Sequence, residues 1–456
     1  MTPDAVTPDV VTPDAVTRPA ERPAPRVHEA AGWRFDERHP VAPPGVPVPR
    51  VVGPVERAWA GADHDGRRGL LARLRAAGSP VVVDEGGTCT LTWWYEDGDA
   101  RAVVLAANGL LDHRDVGASE LVRLRGSDVW TITYRLPSDW RGSYVLTTHR
   151  GDGPPPWRTA DDRRAVRLAA MAGRPDPANP RVMGTMHDAA VSVAQGPAAP
   201  PHRWWVPGRP TPPAELVLPA TAHRRARRVW LHTTPGLPDD REAPLLVVHD
   251  GQVWARSVPL AASLDAAVAD GALPPLRAVL VDSGTVATRW DELGVPGGTT
   301  RFVLDDLLPV LAGRWALPAD PTRVVATGAS FGGLGALWLV ALGGDRVGAA
   351  LAQSPSLWRF DLRDVLRAAP RHVRVALQAG VHEPEVLRGT RELAAALVAD
   401  GRSPHVVEVT GGHDWAWWWP GMLDGLTRLL PPDPCDGAAD PTRVAGITSP
   451  AGPTSC

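Results

Sequence analysis

Apolar and polar positions change rhythm along this chain. From about Val51 to Gly208 the spacing is that of strands. "TCTLTWWYEDGDARAVVLAA" alternates and breaks at an Asp-Gly pair, which predicts a hairpin. "DVWTITYRLPSDWRGSYVLTTH" repeats the form with aromatic and β-branched residues, so the region reads as a small β-sandwich. "GDGPPPW" and "GRPDPANPRVMG" supply a Pro/Gly-rich connection, and "GPAAPPHRWWVPGRPTPPAE" reads as a linker between domains.

After Leu216 the texture changes. "LVLPATAHRRARRVWLHTTP" predicts a pair of strands. "APLLVVHDG", "LRAVLVDSG", "RVVATGAS", "HVRVALQAG" and "HVVEVTGGH" are apolar runs that end in polar or glycine turns. Helical patterns lie between them: "FVLDDLLPVLAGRW", "GGLGALWLVAL" and "EVLRGTRELAAALVADG". Strands alternating with helices predict an α/β domain, its mostly parallel sheet covered by helices on both faces. Chemistry in such sheets collects at the carboxyl ends of the strands. The expected domains are a Pro-rich tail over 1–50, built on a repeated Thr-Pro-Asp unit, and a sandwich with its linker over 51–208. An α/β domain over 209–432 and a second tail over 433–456 complete the chain.

Composition narrows the function only a little. With 456 residues, 44% of them hydrophobic, the chain is long enough for two domains with real cores. A formal net charge of −3 gives no pull toward nucleic acid or anionic lipid. All 48 basic residues are arginine, and 19 tryptophans stand against 4 phenylalanines; both fit the codon bias of a GC-rich genome, so neither excess marks a function. Cys89, Cys435 and Cys456 form no metal-like or CxxC spacing. No segment approaches the ~20 apolar residues of a membrane span, and the start lacks the profile of a secretory signal. A cytoplasmic protein, monomeric or weakly self-associating, is expected.

The chemistry centres on Gly328-Ala329-Ser330-Phe331-Gly332. This G-x-S-x-G follows an apolar strand and opens a helix, the context of a nucleophile elbow, so the domain over 209–432 is expected to be an α/β-hydrolase catalytic domain. A nucleotide-binding turn would need G-x-G-x-x-G or a lysine, and neither is present. Ser330 needs a base, and the chain order of this fold is serine, acid, histidine. His413 follows the last strand at its carboxyl end, whereas His372 and His405 open strands at the opposite end. Glu383 comes first after the preceding strand and is preferred as the acid. Glu385 is the alternative, better suited to a helix first turn, and Asp414 is a third candidate. Phe331 and Gln252 are the expected oxyanion donors.

These residues carry a resemblance. "HDGQVWA", "GASFGGLGAL", "AQSPSLW", "QAGVHEPEVLRGTRELAAAL" and "GGHDWAWW" resemble, in order, the catalytic domain of enterochelin (enterobactin) esterases. "TLTWWYEDGD", "DVWTITYRLPSDWRGSY" and "DPANP" resemble that family's N-terminal domain. The resemblance implies hydrolysis of the tri-serine lactone of ferric catecholate siderophores, with Ser330, His413 and Glu383 catalytic. It implies no metal or organic cofactor, iron entering as part of the substrate. The family's "REPM"-like segment reads "HEPE" here, and "SQSGS" reads "AQSPS".

A ferric tris-catecholate is a flat-sided trianion suited to arginine and tryptophan. Arg289, Trp290, Trp254 and Trp415 are the expected contacts, with Trp417 and Trp418 beside them. Arg141 is placed either to cross from the small domain into the site or to cap that domain's own turn. The competing readings are a general carboxylesterase or acyltransferase of this fold, and a silent siderophore-binding protein.

Overall fold

The computed structural model describes residue 48 and residues 50 to 432, apart from 113, 187–188, 209–210, 221–224, 295 and 297. The Thr-Pro-Asp repeats and the segment from 433 onward, both expected to be loose tails, lie outside the described residues.

Eight strands build the N-terminal part: β1 (Val81–Asp84), β2 (Thr88–Glu96), β3 (Ala102–Ala107), β4 (Val122–Arg123), β5 (Val129–Pro137), β6 (Arg141–His149), β7 (Val182–Gly184) and β8 (Ala190–Gln195). They form two four-stranded sheets, β1-β2-β5-β4 and β3-β6-β8-β7. All pairings are antiparallel. The sheets close over Leu91, Trp93, Leu105, Ile132, Tyr134, Tyr144 and Leu146. Trp93 is the hub, edge-on to Tyr134, Trp140 and Tyr144 at 6.0, 6.2 and 5.8 Å.

Two expectations fail in this region. Neither alternating segment is a hairpin, because β2 and β3 lie in different sheets, and so do β5 and β6. At the first corner the Asp97 carboxylate accepts from the N–H groups of Asp99 and Ala100, both at 3.0 Å, and so carries the chain across the sandwich. The real partners are distant: β2 pairs with β5 from Thr88↔Pro137 to Glu96↔Val129. The strand reading also missed helices Pro54–Gly61 and His64–Ala77. These bury Val55, Trp59, Leu70 and Leu74 against Trp94, Leu124 and Val129.

The larger sheet contains β9 (Ala214–Leu218), β10 (Arg227–Thr233), β11 (Leu245–His249), β12 (Arg277–Val281), β13 (Val324–Ala329), β14 (Ala349–Gln353), β15 (Arg374–Gly380) and β16 (His405–Val409). Their order is β16-β15-β14-β13-β11-β12-β10-β9. The six strands from β16 to β12 are parallel, and β10 and β9 join antiparallel at one end. Both faces are covered, as a continuous apolar strand requires. Leu245 and Val247 of β11 meet the helix Phe331–Gly343 side, while Leu246 and Val248 meet the side of helices Leu260–Ala269 and Trp415–Leu429. The expected α/β-hydrolase-type sheet is therefore present.

The linker is anchored as well as extended. Ser263 Oγ donates to Trp204 O at 2.8 Å, and Trp419 Nε1 donates to Ser263 Oγ at 3.1 Å. The His202 ring stands edge-on to Trp205 and Trp419 at 5.0 and 4.4 Å. Burial first, then the Arg141 and Arg181 charges, push its pKa down to about 3. An unfolded histidine takes up its proton near pH 6.5. This contribution to stability is therefore complete above that value and is lost as pH falls toward 3. Between pH 7 and 5 the loss through His202 is about 2 kcal/mol. Urea unfolding at the two pH values should show that loss in the unmutated protein and a smaller one in His202→Phe; equal losses would refute the assignment.

Candidate active site

Ser330 leaves β13 with φ 60° and ψ −120°, a backbone that side-chain-bearing residues rarely adopt, and helix Phe331–Gly343 starts at the next residue. Hydrogen bonds hold it there. Its N–H donates to Gln353 O at 2.9 Å, and its carbonyl accepts from Ser356 N at 3.2 Å and Leu334 N at 3.0 Å. The flanking glycines are steric necessities: a Cβ on Gly328 would lie 2.7 Å from the Gly332 carbonyl carbon, and one on Gly333 2.9 Å from Gln353 O. This is the sharp strand-to-helix turn expected from the G-x-S-x-G.

The acid and the base meet. His413 Nδ1 and Glu383 Oε2 share a hydrogen bond of 2.5 Å. An ionised carboxylate only accepts, so Nδ1 carries the proton and Nε2 keeps the lone pair a general base needs. The other carboxylate oxygen accepts from Ser354 Oγ at 2.7 Å and from Gly380 N at 3.0 Å. Ser354 Oγ in turn accepts from Trp418 Nε1 at 3.0 Å. Glu383 is 7% exposed, whereas the His413 side chain is 44% exposed. Glu385 lies in the first turn of helix Pro384–Ala399, away from this bond. Asp414 turns its carboxylate to Ser143 N and Ala416 N, the latter capping helix Trp415–Leu429.

These parts come from neighbouring strands. Ser330 follows β13, Ser354 and Ser356 follow β14, Glu383 follows β15 and His413 follows β16, and those strands are adjacent in the sheet. The Ser330 hydroxyl hydrogen-bonds Ser356 Oγ at 3.3 Å. Among the described residues it shares no hydrogen bond with the imidazole in this arrangement. Such contacts commonly tighten only when substrate is bound. Phe331 is the first residue of its helix and Gln252 the second of helix Gly251–Arg256, positions whose N–H groups have no acceptor within the helix.

Most of the expected substrate contacts are engaged elsewhere. Arg289 sends Nε and Nη2 to the Asp250 carboxylate at 2.6 and 2.8 Å, and Nη2 also to Ala329 O at 3.4 Å. Asp250 is 1% exposed, and the guanidinium compensates the charge of a carboxylate so buried. Trp254 is also 1% exposed and packs edge-on to Trp415 at 5.0 Å, so both belong to the core beneath the site. The Arg141 guanidinium turns back into its own domain, to Gln195 Oε1 at 3.2 Å and Pro200 O. Burial, then Arg181, lowers its pKa to about 10. Trp290 is half-buried: it stands edge-on to Phe331 at 4.8 Å, lies 6.0 Å from Trp358 and takes the Arg359 guanidinium over its ring at 4.8 Å. The sequence reading missed Ser354, Ser356 and Trp358, although their segment "AQSPSLW" follows a buried strand as the other site segments do.

The chain matches two family models, "Enterochelin esterase, N-terminal" over residues 89–205 and "Putative esterase" over residues 222–429. The iron(III) enterobactin esterase of Dickeya dadantii is 31% identical over 406 residues, covering 80% of this chain and 92% of that protein. The iron(III) enterobactin esterase of Escherichia coli K12 is 31% identical over 367 residues, covering 75% and 91%. The crystal structure of the Shigella flexneri enterobactin esterase in the presence of enterobactin superposes with a TM-score of 0.68 at 28% identity, covering 78% of this chain and 97% of that one.

The Arg289–Asp250 pair separates a structural role from substrate binding. Arg289→Met leaves a buried charge without its partner and should lower stability by about 3 kcal/mol in urea unfolding. A raised KM with unchanged stability would instead make Arg289 a substrate contact.

Proposed function

The chain belongs to the enterochelin esterase family of ester hydrolases, and we propose that it cleaves the tri-serine lactone of a ferric catecholate siderophore. One observation carries the catalytic part of this reading: the 2.5 Å bond between His413 and Glu383, at the ends of β16 and β15, with β14 between them and the strand that bears Ser330. In the proposed reaction the Ser330 oxygen attacks a lactone carbonyl while His413 Nε2 takes its proton. Glu383 holds the imidazole in the required tautomer and stabilises its charged form. The Phe331 and Gln252 N–H groups receive the oxyanion. Collapse expels the neighbouring serine hydroxyl of the lactone, which takes the proton back from His413. Water activated by the same imidazole then clears the acyl-serine and regenerates the free hydroxyl. The five groups suffice for ester hydrolysis, so the reading calls for no resident cofactor; iron arrives within the substrate.

Trp290 and Trp358, both half-buried and packed around Phe331, support the substrate class as aromatic residues close to the nucleophile in the chain fold that could meet a catecholate ring. With Arg289 committed to Asp250, stacking carries more of this recognition than the predicted guanidinium does. The reading places the work in the cytoplasm, where a buried free thiol such as Cys89 stays reduced.

The test uses iron-loaded trilactone, iron-free trilactone and a simple chromogenic ester. Ser330→Ala should lower kcat on the order of 10^6-fold. Glu383→Gln should lower it about 10^4-fold, with Glu385→Gln close to the unmutated enzyme. Cleavage of the chromogenic ester without the trilactone would point to a general carboxylesterase. Tight trilactone binding without turnover would point to a binding protein.

A further inference from the structure

The loop that carries His413 belongs to the large sheet, yet the small domain grips it. Asn108 Nδ2 donates to His413 O at 2.7 Å. Arg141 N donates to Thr410 O at 3.1 Å, and Thr410 Oγ1 donates to Asp139 Oδ2 at 2.9 Å. Ser143 N donates to Asp414 Oδ2 at 2.5 Å. The fit is close enough to demand glycine: a Cβ on Gly412 would lie 2.6 Å from Asn108 Oδ1, and one on Gly411 3.0 Å from Arg141 O.

Asn108 stands apart among these contacts because its side chain reaches the backbone of the base itself. It is mounted rigidly, since it directly follows β3 and its own N–H donates to Ser143 O of β6 at 2.9 Å. On the other side of the loop, Trp417 Nε1 donates to Gly412 O at 2.6 Å. A segment containing Gly411 and Gly412 has wide backbone freedom. Fixing the His413 carbonyl removes much of that freedom just where the imidazole has to stay on Glu383 and within reach of Ser330.

We propose that Asn108 is a positioning residue for the His413 base, which makes the N-terminal sandwich part of the catalytic apparatus. The inference rests on the reading of His413 as the base. Asn108→Asp keeps the shape but loses the N–H donor and sets a carboxylate against a carbonyl. Asn108→Ser is too short to reach and serves as the second variant. A displacement of about 1 Å in a catalytic group costs on the order of 10^2-fold. Both variants should therefore lower kcat ~10- to 10^2-fold, equally for the trilactone and for a small chromogenic ester, with KM unchanged and only the small drop in thermal midpoint that one lost hydrogen bond brings. In a His413→Ala background, measured on the chromogenic ester, Asn108→Asp should cost nothing further, because its effect runs through the imidazole.

Three results would overturn the proposal: a kcat within about threefold of the unmutated enzyme, a KM increase confined to the trilactone, or a full additional loss in the His413→Ala background. Failure of the underlying reading is separate, since His413→Ala alone would then retain activity.

Discussion

Ser330 has to be held in a backbone conformation it would not choose. A non-glycine residue forced into such a region costs about 1–3 kcal/mol. The bonds from Ser330 N to Gln353 O, and from Ser356 N and Leu334 N to Ser330 O, each return about 1 kcal/mol, enough to offset it. The strain is shared by its neighbours. Among the described residues, three non-glycine residues have positive φ: Asp250 at 58°, Ser330 at 60° and Ser354 at 41°. They directly follow β11, β13 and β14, which are side by side in the sheet. The strained turns thus stand in one row. Asp250 anchors Arg289 beneath the elbow, Ser330 carries the hydroxyl proposed as nucleophile, and Ser354 holds Glu383.

That row explains what could be read from the sequence. The G-x-S-x-G spacing is a local steric fact, and the close approach of Gly328 to Gly332 shows why local sequence revealed it. Glu383 and His413 followed from the rule that chemistry collects at carboxyl ends of parallel strands. The hairpin expectation failed for a related reason. An Asp-Gly turn reports where the chain bends, not which sheet receives the next strand, and the β2–β5 and β3–β6 pairings span long stretches of chain. The tryptophans were ambiguous because one residue type serves both core and binding surface. Only packing separates Trp254, at 1% exposure, from the half-buried Trp290.

Several tryptophans near the site act through their indole N–H groups. Trp418 donates to Ser354, Trp417 to Gly412 O and Trp419 to Ser263. All three lie on helix Trp415–Leu429, directly after the His413 loop. Each buries a large apolar surface and directs its one donor to a polar acceptor inside the protein. The His413 ring rests edge-on to Trp418 at 4.6 Å, so the same indole touches His413 and supports Glu383 through Ser354.

Asp414 shows how closely the two domains are joined at this point. Burial pushes its carboxyl pKa up, opposed by the N–H groups of Ala416 and Ser143. Those donors belong to different domains: one opens the helix behind the base and the other lies in β6 of the sandwich. A carboxylate at 1% exposure is costly to leave unpaired. Separating the domains would strip it of one donor and would release the His413 carbonyl from Asn108 at the same time. The residue adjacent to the base therefore makes domain docking and loop order a single event. In this chain the small domain's seating on the large one and the placement of the imidazole share the same hydrogen bonds.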